Sequence, residues 1–144
     1  MKVLTLKQPW ATLVAEGIKK YEFRSWKTKY RGKLLIHAGA GIDKKEMKRF
    51  EKLNLDYPSK KILAEVELED CLELDEDLNN KIIAENNIAY GSKKREGYAW
   101  KLTNIKKVKY DKTVNGKLGL WNLDIEGEYK YDEWYYYWWW KTWV

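Results

Sequence analysis

Cysteine and histidine are nearly absent from this chain, with one of each in 144 residues, and there are only two prolines. A lone Cys71 can close no internal disulfide, so nothing in the sequence calls for an oxidising compartment. One histidine and one cysteine are too few for a protein-held transition metal, and neither a metal nor another cofactor is expected. The same scarcity excludes RNA cleavage by a pair of histidines. Apolar runs are short: none approaches the roughly 20 residues of a membrane-spanning helix, so no membrane partner is expected. Residues Met1 to Lys7 lack the apolar stretch and small-residue cleavage site of a secretory signal. The expected location is cytoplasmic.

Charge and indole rings are abundant. The net charge is +6, and its distribution is uneven. Residues 1–37 carry nine Lys/Arg against two acids, residues 93–117 again nine against two, and residues 65–77 eight acids with no base. Two basic segments that met in space would form a surface suited to phosphates, whereas scattered over the molecule they would only solvate it. Tryptophan (nine) and tyrosine (eleven) far outnumber phenylalanine (two), and they crowd into the end of the chain from Tyr129 onward. That aromatic tail, residues 126–144, reads as a segment packed on the domain or at a self-association interface, because large apolar patches mark contacts. A stacking surface for bases is the other reading.

The length suits one domain. Val3–Leu6 is β-branched and apolar, a first strand; Pro9 opens a helix with Trp10, Leu13 and Val14 on one face, and Gly17 ends it. Lys19–Arg24 alternates as a strand, with Tyr21 and Phe23 opposite Lys20, Glu22 and Arg24. Lys33–Ala38 is a buried strand, and Gly39-Ala40-Gly41 a flexible connection into a helix capped by Asp43, whose core face is Met47, Phe50 and Leu53. Ile62–Glu69 alternates, with Ala64, Val66 and Leu68 inward. Residues 75–87 predict a helix, Tyr98–Leu102 a strand, Val108–Tyr110 a further one, and Asn115-Gly116 a tight turn before Leu118–Leu123. This order is too mixed for regular βαβ units. An α+β fold is expected, its mixed sheet curled into a closed β-barrel with peripheral helices, since closure removes exposed edges.

Leu4-Thr5-Leu6-Lys7-Gln8-Pro9-Trp10-Ala11 and Gly17-Ile18-Lys19-Lys20-Tyr21-Glu22-Phe23-Arg24 resemble the ASCH family of the PUA-like superfamily. The likeness continues through Trp26, Tyr30-Arg31-Gly32 and Leu35-Ile36-His37-Ala38, then returns at Tyr98–Leu102 and Gly116–Trp121, covering about residues 1–125 in order and spacing. The resemblance implies a PUA-like pseudo-barrel with a cleft beside the first helix. It also implies a role on RNA, in some relatives on DNA; a few members are ribonucleases, and a compact subgroup hydrolyses acylated cytidine nucleosides. Where that subgroup has a nucleophilic threonine this chain has Glu22, so amide hydrolysis here needs a Lys19/Glu22 pair that activates water. Glu85 and Glu96 are both candidates for the subgroup's downstream glutamate.

The expected function is therefore binding of RNA or a nucleoside in a basic cleft, with a metal-independent hydrolase on the same cleft as the alternative. Lys19 stands in the family's Gly-x-Lys step, as a cation for phosphate or carbonyl, or as a base if burial lowers its pKa. Glu22 and Arg24 share one strand face; they suit a base edge and a phosphate, or a structural ion pair. Trp26, in the basic loop with Lys29 and Arg31, is the tryptophan expected to be most exposed, and Trp100 is a second stacking candidate. Trp10 and Trp121 are read as structural. His37 is a secondary candidate or a hydrogen-bonded wall residue. Lys93-Lys94-Arg95 forms a basic loop able to close over a backbone or to remain a solvated loop, and Cys71, among acids, is inert.

Overall fold

A computed structural model describes residues 1–132 of the chain. The expected packing or self-association of the aromatic run beyond them lies outside the described residues. The elements run β1 (Lys2–Gln8), α1 (Trp10–Ala15), β2 (Tyr21–Arg24), β3 (Gly32–Ile42), α2 (Lys44–Arg49), β4 (Lys61–Glu73), α3 (Glu76–Glu85), α4 (Asn87–Tyr90), β5 (Tyr98–Lys109), β6 (Leu120–Asn122) and β7 (Lys130–Tyr131). The strands form a seven-stranded mixed sheet in the order β2-β5-β4-β3-β1-β6, with β7 on β5. Among the described strands only β1 and β3 run parallel.

Two apolar layers explain the continuous hydrophobic run of β3. Leu34 and Ile36 pack with Leu4, Leu6, Val14, Val66, Leu68 and Leu102 on one face. Leu35 packs with Val3, Ile62, Val108, Trp121 and Ile125 on the other. Each such side chain removed from water contributes roughly 1.5–3 kcal/mol, so both layers hold the central strands in register. A third cluster seats α3 and α4 against β2 and β5 through Tyr21, Ile82, Ala89, Tyr90 and Ala99.

The helix signals read from the sequence hold at the starts. Asp43 accepts from the Glu46 amide as expected; Asp75, a cap not read from the sequence, accepts from the Leu78 amide, each satisfying an orphan donor of the first turn. Gly17 adopts φ +74 at the end of α1. Phe50 is buried as expected, whereas Leu53 is 41% exposed because the chain leaves α2 through a short 3-10 turn.

Three expectations are corrected. Gly39-Ala40-Gly41 is not a loop but the end of β3; a Cβ on Gly39 would sit 2.8 Å from Thr5 Cγ2, so glycine there allows close approach of a neighbouring strand. Val108 belongs to the same long strand as Tyr98. Asn115-Gly116 is not a tight turn: it lies across β1, where a Cβ on Gly116 would meet Thr5 and His37 at 2.9–3.1 Å.

The expected closure of the sheet into a barrel is not seen among the described residues. Among the described residues its two ends, β2 and β6, are not hydrogen-bonded to each other. Among the described residues β6 covers β1 only from Lys2 to Leu4, and Thr5 to Gln8 have no strand on that side. Arg24 at the end of β2 reaches that stretch, donating from Nη2 to the Thr5 carbonyl at 2.9 Å. One side chain bridges the seam that backbone pairing leaves open.

Candidate functional site

That seam is the mouth of a cleft of about 670 Å³. Its walls are Thr5, Leu6 and Lys7 of β1, Glu22, Phe23 and Arg24 of β2, Gly39, Ala40 and Gly41 of β3, and the strap 115–119, with Trp10 of α1 and Lys60 completing it. Lys7, Arg24, Lys60 and Lys117 line it against one acid, Glu22. The two basic segments of the sequence do meet here, the first through Lys7 and Arg24 and the second through Lys117. On one wall Gly39 and Gly41 let the end of β3 pack directly against the side chains of Thr5 and Lys7.

Lys19, Glu22 and Arg24 are brought together, but in layers. Glu22 is 8% exposed and faces the cleft; Lys19, 2% exposed, lies behind it. The Lys19 Nζ donates to Glu22 Oε2 at 2.9 Å and to the Tyr21 carbonyl at 2.6 Å. The rings of Trp10 and Phe23 lie 5.5 and 5.0 Å from it. Burial drives the Lys19 pKa below its ordinary value, and the neighbouring Glu22 carboxylate offsets part of that shift. Glu22 Oε1 lies 4.0 Å from Arg24 Nε, and among the described residues that buried Nε has no hydrogen-bond partner.

The helices fix this arrangement from outside. The Tyr90 hydroxyl of α4 accepts from the Lys20 and Tyr21 amides at 2.8 and 3.0 Å, and Asn86 donates to the Ile18 carbonyl at 3.0 Å. Burial pushes the Tyr90 phenol up to about 12, so it stays neutral. On the other side of α1, buried Gln8 and Thr12 bond each other and the carbonyls of Pro58 and Asp56.

The remaining sequence candidates sit elsewhere. Trp100 is fully buried in the core, and Trp26, half-buried, packs edge-to-face on it with ring centroids 4.7 Å apart. Lys29 is exposed outside the cleft lining. Arg31 pairs with Asp70 at 3.3 Å and donates to the Thr28 and Tyr30 carbonyls. His37 is fully buried: Nε2 donates to the Val114 carbonyl at 2.6 Å, and Nδ1 faces Thr5 Oγ1 at 3.1 Å. Trp121 Nε1 donates to the same Thr5 oxygen at 3.0 Å, so this chain of bonds pins the strap to β1. Arg95 is held by the Tyr90 carbonyl and lies 4.3 Å over the Phe23 ring, while Lys94 pairs with Glu76. Cys71 is buried.

Sequence reasoning took Trp10 as structural and missed Phe23, Lys7, Lys60 and the glycine wall. Gly39 and Gly41, alternating with Ala40 at the end of an apolar strand, were the available signal, since glycine in a strand marks close approach. Among the described residues no group of three or more His, Cys, Asp or Glu is placed to hold a metal, and no helix is long and apolar enough to cross a membrane.

Fold and site define a class: a small α+β domain whose open mixed sheet carries a basic, glycine-walled cleft at its seam. The chain belongs to the ASCH domain family, whose profile matches residues 4–141. Over 81 residues it is 38% identical to activating signal cointegrator 1 of Mus musculus, and over 83 residues 39% identical to that of Homo sapiens. Those matches cover 48% of this chain and 14% of either relative, so the chain spans a small part of their length. Its fold is similar to that of the ASCH protein of Zymomonas mobilis, with a TM-score of 0.54 at 15% identity over 88% of this chain and 90% of that one. A single-substitution variant of that protein gives the same TM-score, with 93% of its chain covered.

Proposed function

We propose that the chain is an RNA- or nucleoside-binding domain that takes its ligand into the seam cleft. The observation that carries this reading is the lining itself: four basic side chains against one acid, beside the rings of Trp10 and Phe23. Cations suit a phosphate backbone and aromatic faces suit bases. Lys19 acts in this reading by holding Glu22 in place, and Glu22 and Arg24 contact the ligand. Family membership supports the same reading.

The test is anisotropy titration of a labelled single-stranded RNA across a salt series, with the matching DNA as competitor. Affinity is expected to fall with salt at a log–log slope of about −0.7 for each phosphate contacted. Lys60→Ala with Lys117→Ala is expected to flatten that slope. Salt-independent binding, unchanged in this variant and in Arg24→Ala, would rule the cleft out.

A second reading, a metal-independent hydrolase on the same cleft, is supported by Lys19, a buried lysine of lowered pKa hydrogen-bonded to the acid that lines the cleft. Chromatography of the same mixtures separates the two: cleavage or deacylation lost in Lys19→Met favours the enzyme, and intact ligand favours binding.

A further inference from the structure

The cleft is graded from its floor to its rim, and the gradation bears on how a guest is oriented. At the floor, the Glu22 Oε2 is engaged by Lys19 at 2.9 Å, whereas Oε1 is 4.0 Å from Arg24 Nε, beyond hydrogen-bond reach. Arg24 Nε is buried with no acceptor among the described residues, although its Nη2 is held by the Thr5 carbonyl. The floor thus presents one charged acceptor and one charged donor side by side, each with capacity to spare. At the rim, Lys7, Lys60 and Lys117 are exposed.

A phosphate fits the rim and not the floor, because it would lie against the Glu22 carboxylate with like charge and no proton to share. A planar group with an N–H beside a lone-pair acceptor fits the floor, since it can donate to Glu22 and accept from Arg24. The hydrogen-bonding edge of a nucleobase is such a group, and Trp10 and Phe23 line the wall beside it with apolar rings.

Building on the cleft reading above, we infer that the ligand enters base first: the edge of one nucleobase meets Glu22 and Arg24, and its phosphates stay at the lysine rim. A base already paired in a duplex has that edge occupied. The site therefore selects unpaired bases, in single strands, loops or flipped-out positions, over intact helices.

The experiment is calorimetric titration of the full chain with the four ribonucleosides, their 5′-monophosphates and ribose 5-phosphate, at low and tenfold higher salt. A single-stranded RNA and the same strand annealed to its complement are run alongside. At least one nucleoside is expected to bind with little salt dependence, and its monophosphate more tightly at low salt only. Lys60→Ser with Lys117→Ser is expected to bring the monophosphate-to-nucleoside ratio near one. Replacing the floor pair together, Lys19→Met with Glu22→Gln, avoids stranding a buried charge and is expected to weaken the nucleoside about tenfold or more, as loss of a charged hydrogen bond does. Annealing is expected to abolish strong RNA binding. Ribose 5-phosphate binding as tightly as the nucleotides, or duplex binding as tightly as the single strand, overturns the inward base while the cleft reading survives. If no probe binds, RNA included, both fall.

Discussion

Lys19 and Glu22 illustrate how one residue type changes role with burial. In the sequence Lys19 is one of two adjacent lysines; in the fold Lys20 remains exposed while Lys19 is sealed under Trp10 and Phe23. A buried pair of this kind contributes little net stability, but removing one partner leaves an uncompensated charge. Glu22→Gln alone is therefore expected to cost about 3–5 kcal/mol, and the double change Lys19→Met with Glu22→Gln much less, as checked by urea denaturation in a double-mutant cycle. His37 gives the pH counterpart. Burial lowers its imidazole below the ordinary 6.5, only partly offset by its bond to Val114. The unfolded chain then takes up its proton first as the pH falls. The His37 contribution is fully present above about pH 6.5 and is lost as the pH drops toward the folded pKa. Denaturation midpoints compared between pH 7.5 and 5.5 are expected to fall, and to fall less in His37→Gln.

At the scale of elements, the last described strand is tied to the sheet by a buried acid. Glu65 on β4 is 5% exposed, and its carboxylate accepts from the Tyr129 hydroxyl at 2.6 Å and from Tyr131 at 3.2 and 3.3 Å. Lys33 and Lys106 lie 3.8 and 3.9 Å away. Burial, with this bond to Glu65, raises the Tyr129 pKa, so the phenol remains a donor. Tyr129→Phe is expected to destabilise the fold by about 1–3 kcal/mol, the cost of a hydrogen bond lost by a buried charged group. Amide exchange should show the loss first at β7 and the facing end of β5, where Val108 pairs with Tyr131; an unchanged exchange pattern there would remove Glu65 as the anchor. The same scale accounts for Gly97, where any Cβ would lie 2.6 Å from the Arg24 carbonyl at a φ of +94, so this glycine lets β2 and the start of β5 close together behind the cleft.

Over the whole molecule, charge is the feature whose meaning changes most. Many bases of the two basic segments do not join a patch. Arg31, Lys33, Lys94, Lys101 and Lys106 instead answer the acids of residues 65–77 across strands and loops. The exposed pairs among these, to Asp70, Glu76 and Glu69, add little stability, and together the five leave Lys7, Arg24, Lys60 and Lys117 to set the sign of the cleft. Local signals located most strands and helices: alternation in β4, the Asp43 cap, the apolar run of β3 and the family motifs of β1, α1 and β2 all act over a few residues. From the same signals came the grouping of Lys19, Glu22 and Arg24, three residues on one short stretch. Whether the sheet closes, that Trp26 packs on Trp100, and that Lys60 and Lys117 join a hollow begun by β1 and β2 were decided only in three dimensions. Those outcomes depend on contacts between residues far apart in the chain, above all on β6 stopping at Leu120 opposite Leu4 and leaving the seam that Arg24 spans.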